Sequence, residues 1–148
     1  MRRYFAIGIE NLKTGYNLGT LWRSAFLFHA SYIFVIGHRY KPQCTDTYKS
    51  WRHIPFYNFD SFDKFYEMIP YDCQLIGVEL TDNAVNIIDY EHPQRCIYLL
   101  GAEDHGLTKN AMGRCHDIIV LPGDRSMNVS VAGSIVMYDR YSKSHLML

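Results

Sequence analysis

The sequence predicts an α/β fold, a mostly parallel β-sheet with helices on both faces. Two segments, residues 73–78 and 95–100, are near-continuous apolar runs, which is typical of parallel strands buried on both sides. Segments with helical spacing of apolar residues alternate with such runs, as a parallel sheet covered by helices requires. No repeat, low-complexity tract or linker divides the 148 residues, so we expect one domain over residues 1–148.

The first half of the chain contains three predicted strands and two predicted helices. The strands are expected at residues 3–9, 31–36 and 54–59. Asn17 is predicted to cap a helix that runs to Ala30 and carries apolar residues at helical spacing. Asp60 is predicted to cap a second helix that ends before Pro70.

The second half predicts strands at residues 73–78, 95–100 and 117–121. Thr108 is expected to start a short helix, and a longer helix is predicted over residues 129–143. Ligands of parallel sheets bind beyond the carboxyl ends of the strands. The sequence therefore predicts a site built from the loops at residues 10–16, 79–84, 101–107 and 121–128.

Charge is distributed unevenly, although 15 basic and 15 acidic residues cancel in total. Residues 1–58 carry a net charge of +6, residues 59–91 a net charge of −7, and the remainder +1. The basic N-terminal part favours a nucleic-acid partner, and the alternative is a solvated surface of mixed sign.

Other sequence features argue against a membrane, a disulfide or a metal. The longest apolar runs are far too short to cross a bilayer, and no signal peptide pattern precedes the first strand, so we expect a cytoplasmic protein. Cys44, Cys73, Cys96 and Cys115 occur singly, which predicts reduced thiols. His116 beside Cys115 is not followed by a second ligand pair, so no metal is expected.

Three segments contain the residues that are candidates for chemistry. The first helix begins with Asn17, Gly19 and Arg23, and a helix start of this kind lets a phosphate or ribose approach closely. The second segment, residues 101–107, places Gly101, Glu103, Gly106 and Leu107 directly after a strand, and it lacks the dinucleotide fingerprint G-x-G-x-x-G. The third contains Ser126, Met127 and Asn128. Small residues follow at 130–134 and predict close packing, against a threaded loop or another subunit.

In this order and spacing, the three segments resemble the three motifs of the SpoU/TrmH branch of the SPOUT methyltransferases. The resemblance implies transfer of a methyl group from S-adenosylmethionine to a ribose 2′-hydroxyl in RNA, with tRNA favoured over ribosomal RNA. It also implies a deep trefoil knot in the C-terminal half and a homodimer whose active site is shared between subunits. The chain looks like a minimal catalytic core of this group.

The resemblance also implies roles for individual residues. Arg23 would act on the 2′-hydroxyl, as a base or by stabilising the developing alkoxide. The other catalytic candidates are Asn17, Glu103, Ser126 and Asn128. The cofactor would be held, mostly by backbone groups, near Val78, Glu79, Gly101, Leu121, Ser126 and Met127.

Cations interleaved with aromatic residues at 38–41 and 49–53 predict RNA contacts, with Arg39, Lys41 and Arg52 on phosphates. The alternative is a surface loop that Trp51 folds onto the core.

Rival interpretations of the whole chain are a base-methylating relative, a knotted domain that binds RNA or cofactor without turnover, and a flavodoxin-like phosphate-binding module. Arg23 and the Ser126–Asn128 segment favour ribose methylation. The phosphate-binding alternative lacks a Ser/Thr-rich loop after the first strand. His105 departs from the family pattern, because many relatives carry Arg near this position.

Overall fold

The computed structural model describes residues 3–13, 15–37 and 49–146, with the side chains of residues 51, 145 and 146 left undescribed. Within these ranges seven strands form one sheet in the order β3-β2-β1-β6-β4-β7-β5, and all neighbouring pairs are parallel. The strands are β1 Tyr4–Glu10, β2 Ile33–Ile36, β3 Phe56–Phe59, β4 Gln74–Val78, β5 Val85–Asn86, β6 Arg95–Leu100 and β7 Asp117–Val120. The predicted α/β class is confirmed, and β5 is a two-residue edge strand that the sequence analysis missed.

Four α-helices and two 3₁₀ turns connect the described strands. The helices are α1 Gly15–Leu27, α2 Phe62–Glu67, α3 Lys109–Arg114 and α4 Val129–Leu146, and the 3₁₀ turns are Ser50–Arg52 and Ile87–Asp89. Helices α1 and α4 pack together on one face of the sheet. Residues of α2 and α3 belong to the core on the other face. The prediction of helices on both faces is therefore confirmed.

The central strand β6 shows why the strand sequences are apolar throughout. Successive side chains of a strand point to opposite faces of its sheet. Cys96, Tyr98 and Leu100 accordingly belong to the core under α1 and α4, whereas Ile97 and Leu99 belong to the other core. Because both faces of β6 are covered, its sequence does not alternate between apolar and polar residues.

Helix α1 differs from its prediction at both ends. It begins at Gly15, so Asn17 lies inside the first turn and is not the cap. The Asn17 side chain instead makes contacts with distant segments, which local capping rules cannot anticipate. The helix ends at Leu27 because His29 adopts a left-handed backbone with φ of 65°.

Helix α2 also starts differently, because Ser61 is its N-cap where Asp60 was predicted. The Ser61 hydroxyl accepts a hydrogen bond from the Lys64 amide at 3.2 Å, while the Asp60 carboxylate contacts the Lys64 ammonium at 3.4 Å. For α3 the predicted start is confirmed, since the Thr108 hydroxyl accepts from the Ala111 amide at 3.2 Å.

The small residues of α4 are used within the chain. A side chain at Gly133 would collide with Leu21 of α1 and come within 3.1 Å of Leu100 of β6. Next to this contact, the Ser134 hydroxyl donates to Ser24 at 2.8 Å. Small residues therefore let α4 pack closely, but their partners are α1 and the sheet, where a threaded loop or another subunit was predicted.

The sheet order brings four loops to one edge. Strands β1, β6, β4 and β7 are adjacent and parallel, so the segments that follow them lie beside one another. No helix in the described ranges is long and apolar enough to cross a membrane.

Candidate active site at the carboxyl edge of the sheet

A cavity of about 460 Å³ opens where β4, β6 and β7 end. This volume falls in the range of small-molecule sites in proteins. Apolar side chains form part of its wall, including Val78, Leu100 and Leu121, and the loops at residues 79–81, 101–107 and 125–127 also contribute. All six residues predicted to bind cofactor line it: Val78, Glu79, Gly101, Leu121, Ser126 and Met127.

The loop after β6 is tightly folded around its two glycines. Ala102 and Gly106 form an antiparallel bridge, and Gly106 has a positive φ of 66°, a conformation that side chains rarely adopt. A Cβ atom at Gly101 would collide with the backbone of Gly106 and Leu107. Both glycines predicted from the sequence are therefore needed to close this loop.

Glu79, at the end of β4, holds the loop from the other side. Its Oε2 atom accepts a hydrogen bond from the Leu107 amide at 2.8 Å, and its Oε1 atom accepts from the Leu80 amide at 3.0 Å. Gly106 packs directly on this carboxylate, and a side chain there would collide with it.

Glu10 is a second anchor of the same loop, and the sequence analysis missed it. It ends β1 and is 2% exposed. Its carboxylate accepts from the Thr108 amide at 2.8 Å and from the Thr108 hydroxyl at 2.9 Å. The sequence signal that could have identified Glu10 is a single acidic residue at the end of an apolar strand. Charged side chains are seldom buried without such partners.

A hydrogen-bonded chain joins the three sequence segments. The Asn17 amide nitrogen donates to Glu103, and the Asn128 amide nitrogen donates to the Asn17 oxygen at 2.9 Å. The Asn128 oxygen accepts from the Ser130 amide at 2.9 Å and the Ser130 hydroxyl at 2.6 Å, so Asn128 caps α4. The structure thus brings Asn17, Glu103 and Asn128 together, while their catalytic roles stay predictions.

Of the five predicted catalytic residues, Glu103 and Ser126 line the cavity, whereas Arg23, Asn17 and Asn128 do not. Arg23 also takes no part in the hydrogen-bonded chain that joins Asn17, Glu103 and Asn128. It lies on α1, partly exposed, six residues after Asn17. By helical spacing it falls between Thr20 and Leu27 on one stripe of the helix. Thr20 contributes to a shallow apolar depression on the outer side of α1 and α4. Arg23 therefore faces the margin of that surface.

Of the residues predicted to contact RNA, only Arg52 falls in the described part of the chain. Arg39 and Lys41 lie outside the described residues. Arg52 is exposed in the 3₁₀ turn Ser50–Arg52. The next residue, His53, stacks on Phe26 of α1 at 4.5 Å between ring centroids. Arg125, on the loop before α4, is an exposed cation in the cavity wall.

The side chains of Cys115 and His116 each have a hydrogen-bond partner within the protein. The Cys115 thiol donates to the Ala111 carbonyl at 3.2 Å, and burial raises its pKa to about 12. The His116 Nδ1 atom accepts from the Leu75 amide at 2.9 Å. Among the described residues, no group of three or more His, Cys, Asp or Glu side chains could hold a metal ion.

Comparison with known proteins places these features in a family. The model of the SpoU rRNA methylase family matches residues 4–138. The tRNA (guanosine(18)-2′-O)-methyltransferase of Escherichia coli K12 is 38% identical over 71 residues, which cover 45% of this chain and 30% of that enzyme.

Solved structures share the fold at low sequence identity. The SpoU methyltransferase AviRb from Streptomyces viridochromogenes, solved with AdoMet, superposes with a TM-score of 0.88 at 18% identity, covering 98% of this chain and 59% of that one. The TrmH/SpoU tRNA modifying enzyme of A. aeolicus gives a TM-score of 0.87 at 20% identity, with coverages of 99% and 78%. The chain spans under a third of the curated relative and about three fifths of AviRb. Since the family model covers nearly all of the sequence and the sheet matches these structures, the chain belongs to the SpoU rRNA methylase family.

Proposed function

We propose that this protein transfers a methyl group from S-adenosylmethionine to a ribose 2′-hydroxyl in RNA, with tRNA as the favoured substrate, and that residues 1–148 act as a single methyltransferase domain. The observation that carries the proposal is the chain from Glu103 through Asn17 to Asn128 beside a ligand-sized cavity. Three segments that are distant in sequence meet there. The 2′-O-methyltransferase named among the relatives supports the same reaction. We also propose a cytoplasmic location for the protein.

The cavity suits S-adenosylmethionine in size and chemistry. Val78, Leu100 and Leu121 offer an apolar wall for an adenine ring, and the glycine-bracketed loop lets backbone groups approach it. When bound, the cofactor supplies a methyl group on a positively charged sulfur, which needs no further activation. The tasks left to the protein are alignment of the two reactants and removal of the hydroxyl proton.

Arg23 would stabilise the 2′-oxygen as it loses its proton. Its guanidinium has a pKa above about 12 and stays protonated, so electrostatic stabilisation of an alkoxide suits it better than proton abstraction. The proton would pass to an RNA phosphate or to water. Asn17 and Asn128 would orient the start of α1 and the loop before α4, and Ser126 would contact ribose or cofactor. The cofactor would supply the methyl group to the 2′-oxygen and would leave as a neutral thioether.

A homodimer would complete the site. Val131, Ile135 and Tyr138 form an exposed stripe on α4 and are between 38% and 60% exposed. They border an apolar depression of about 390 Å³ beside α1. An exposed apolar patch of this kind marks a contact surface. Because Arg23 lies at its margin and away from its own cavity, a second copy packed here would carry Arg23 toward the partner's cofactor.

We also propose the deep trefoil knot that the family resemblance implies. The strand order supports it, because β6 is inserted between β1 and β4, and β7 between β4 and β5. Late parts of the chain therefore enter the sheet between earlier ones. Threading of the C-terminal half would require insertions of this kind.

The reaction is tested by incubating the purified protein with radiolabelled S-adenosylmethionine and either total tRNA or ribosomal RNA. We expect label in tRNA, in nucleotides that resist alkaline hydrolysis because their 2′-oxygen is blocked. Label in ribosomal RNA alone would change the substrate, and label that remains alkali-sensitive would indicate base methylation. Cofactor binding without transfer to either RNA would favour the non-catalytic binding module.

A further inference from the structure

We propose that Glu79 makes the cavity selective for the cationic cofactor, so that S-adenosylmethionine binds more tightly than the neutral product S-adenosylhomocysteine. This inference rests on the proposed function, because it concerns the ligand that the proposed reaction consumes. The inference is that one side chain lets the cavity distinguish S-adenosylmethionine from S-adenosylhomocysteine.

Carboxylates outnumber cations in the cavity wall. Glu79, Glu103 and Asp104 line it, with Arg125 as the only Lys or Arg among the described lining residues. Asp104 has cationic neighbours of its own, since Lys13 Nζ and His105 Nε2 each lie 3.6 Å from its Oδ2. By formal side-chain charge, the cavity wall is therefore acidic on balance.

Glu79 differs from Asp104 in its partners. Its two carboxylate oxygens accept from the backbone amides of Leu107 and Leu80. Within the described ranges no Lys, Arg or His nitrogen forms an ion pair with it. Backbone amides orient a carboxylate without neutralising its charge. Glu79 therefore contributes a full negative charge to the wall.

The two ligands differ by one charge and one methyl group. The amino and carboxyl groups of the methionine moiety are common to both, and methyl loss converts a sulfonium cation into a neutral thioether. A fixed anion in the wall attracts the sulfonium and has little effect on the thioether. Selectivity is the difference between two affinities, so this attraction appears directly in their ratio.

The position of Glu79 is set before any ligand binds. Gly106 packs against the carboxylate, and the two amide donors fix its orientation. Little reorganisation is then needed when a cation enters. Once the methyl group has left, the attraction is lost, which weakens product binding and favours exchange for a new cofactor.

The test is calorimetric titration of the full chain with S-adenosylmethionine, S-adenosylhomocysteine and sinefungin, an analogue that carries an ammonium in place of the sulfonium. We expect both cationic ligands to bind more tightly than S-adenosylhomocysteine. In Glu79→Gln this advantage should shrink by about tenfold, the order expected for one charge pair in a partly exposed site. The Gln side chain also turns an NH₂ toward one of the two backbone amides, which weakens all three ligands, so the readout is the ratio of the affinities.

Two further variants separate charge from loop shape. Glu79→Asp keeps the charge but shortens the reach to Leu107, so it should weaken all three ligands alike and preserve their ratio. Asp104→Asn removes a carboxylate from the same wall whose charge Lys13 already offsets, and it should leave the ratio nearly unchanged. An unchanged ratio in Glu79→Gln, or an equal loss of all three ligands, would overturn the inference. Failure of the wild-type protein to bind any of the three would instead refute the proposed cofactor.

Discussion

Arg23 is the residue on which the proposed chemistry depends most. It is a partly exposed cation on α1, and by helical spacing it neighbours Thr20, which lines the depression between α1 and α4. A purely structural arginine in this position would support α1, whereas a catalytic one would act only when RNA and cofactor are both bound. These two roles predict different mutant behaviour.

Arg23→Ala should reduce single-turnover methyl transfer by about a hundredfold or more, because removal of one preorganised group that stabilises developing charge costs ~3–4 kcal/mol. Thermal unfolding and cofactor affinity should stay close to wild type. Arg23→Lys should restore little activity, since an ammonium lacks the planar fork that holds a phosphate and a ribose oxygen together. Full activity of the alanine variant would refute this role, and a matched loss of stability with rescue by lysine would make Arg23 structural.

His92 lies at the opposite edge of the sheet from the cavity, in a buried polar cluster. Its ring nitrogens contact the Tyr98 hydroxyl at 2.6 Å and the Asp139 carboxylate at 2.7 Å. Burial lowers the pKa of His92 below 6.5, and nearby Arg140 and Lys143 add to this against the opposing effect of Asp139. The folded protein therefore holds His92 neutral at a pH where the unfolded chain protonates it.

Stability should consequently fall as the pH drops below 6.5, because there the unfolded state binds more protons than the folded state. Well above this pH the unfolded chain has also lost the proton, and His92 contributes no slope. Urea unfolding of wild type and His92→Asn at several pH values measures the effect as a difference that grows as the pH falls through 6.5 and levels off well above it. His105→Asn provides the control, since the His105 side chain is 85% exposed. Parallel curves for wild type and His92→Asn would exclude a contribution from this residue.

At the scale of elements, the connection between β1 and α3 holds the cavity loop in place. Glu10 receives two hydrogen bonds from Thr108, which in turn caps α3. The loop at residues 101–107 is thus held at one end by β6 and at the other by β1, through a contact between residues 98 positions apart.

Glu10→Gln should destabilise the protein by about 1–3 kcal/mol, because one of the two Thr108 donors would face an amide NH₂ in place of an oxygen of a buried side chain. Amides of α3 should lose hydrogen-exchange protection more than those of α1. Asp60→Asn is a suitable control, since the exposed Asp60–Lys64 pair contributes about 1 kcal/mol or less. Equal stability of the Glu10 variant and wild type would show that Thr108 is satisfied in another way.

At the scale of the whole molecule, the feature that bears on assembly is the exposed outer surface of α1 and α4. The small residues of α4 already pack against Leu21 and Leu100 within the chain, so they do not by themselves call for a second subunit. The exposed apolar stripe through Val131, Ile135 and Tyr138 is the observation that supports the proposed dimer.

We expect wild type to sediment as a dimer and Ile135→Asp to sediment as a 17.3 kDa monomer, because a carboxylate in the centre of an apolar contact would be desolvated without a partner. The monomer should retain its fold but lose methyl transfer. Met68→Asp tests the specificity of this effect, since Met68 is 69% exposed on a different helix end and should leave the dimer intact. A wild-type monomer with full activity would contradict the shared site.

The sequence alone was sufficient to predict the alternation of strands and helices, and it placed the candidate site at the carboxyl edge of the sheet, where the structure has a cavity and where the three segments meet. These features depend on local patterns: apolar runs, glycines that close a turn, and capping residues such as Thr108. Local rules were also the source of the errors at Asn17 and Asp60. Each is a reasonable cap by residue type, but Asn17 bonds to residues 86 and 111 positions away.

Only the tertiary structure decided which charges neutralise one another and which surfaces stay open. Glu10 and Glu79 are ordinary acids in the sequence, and their roles follow from the loop that folds back onto them. Likewise, the sequence shows only that α4 is rich in small residues. In the structure Gly133 packs against Leu21 and Leu100, whereas Val131 is exposed. Burial and pairing depend on contacts between distant segments, so they are determined once the sheet order has brought those segments together.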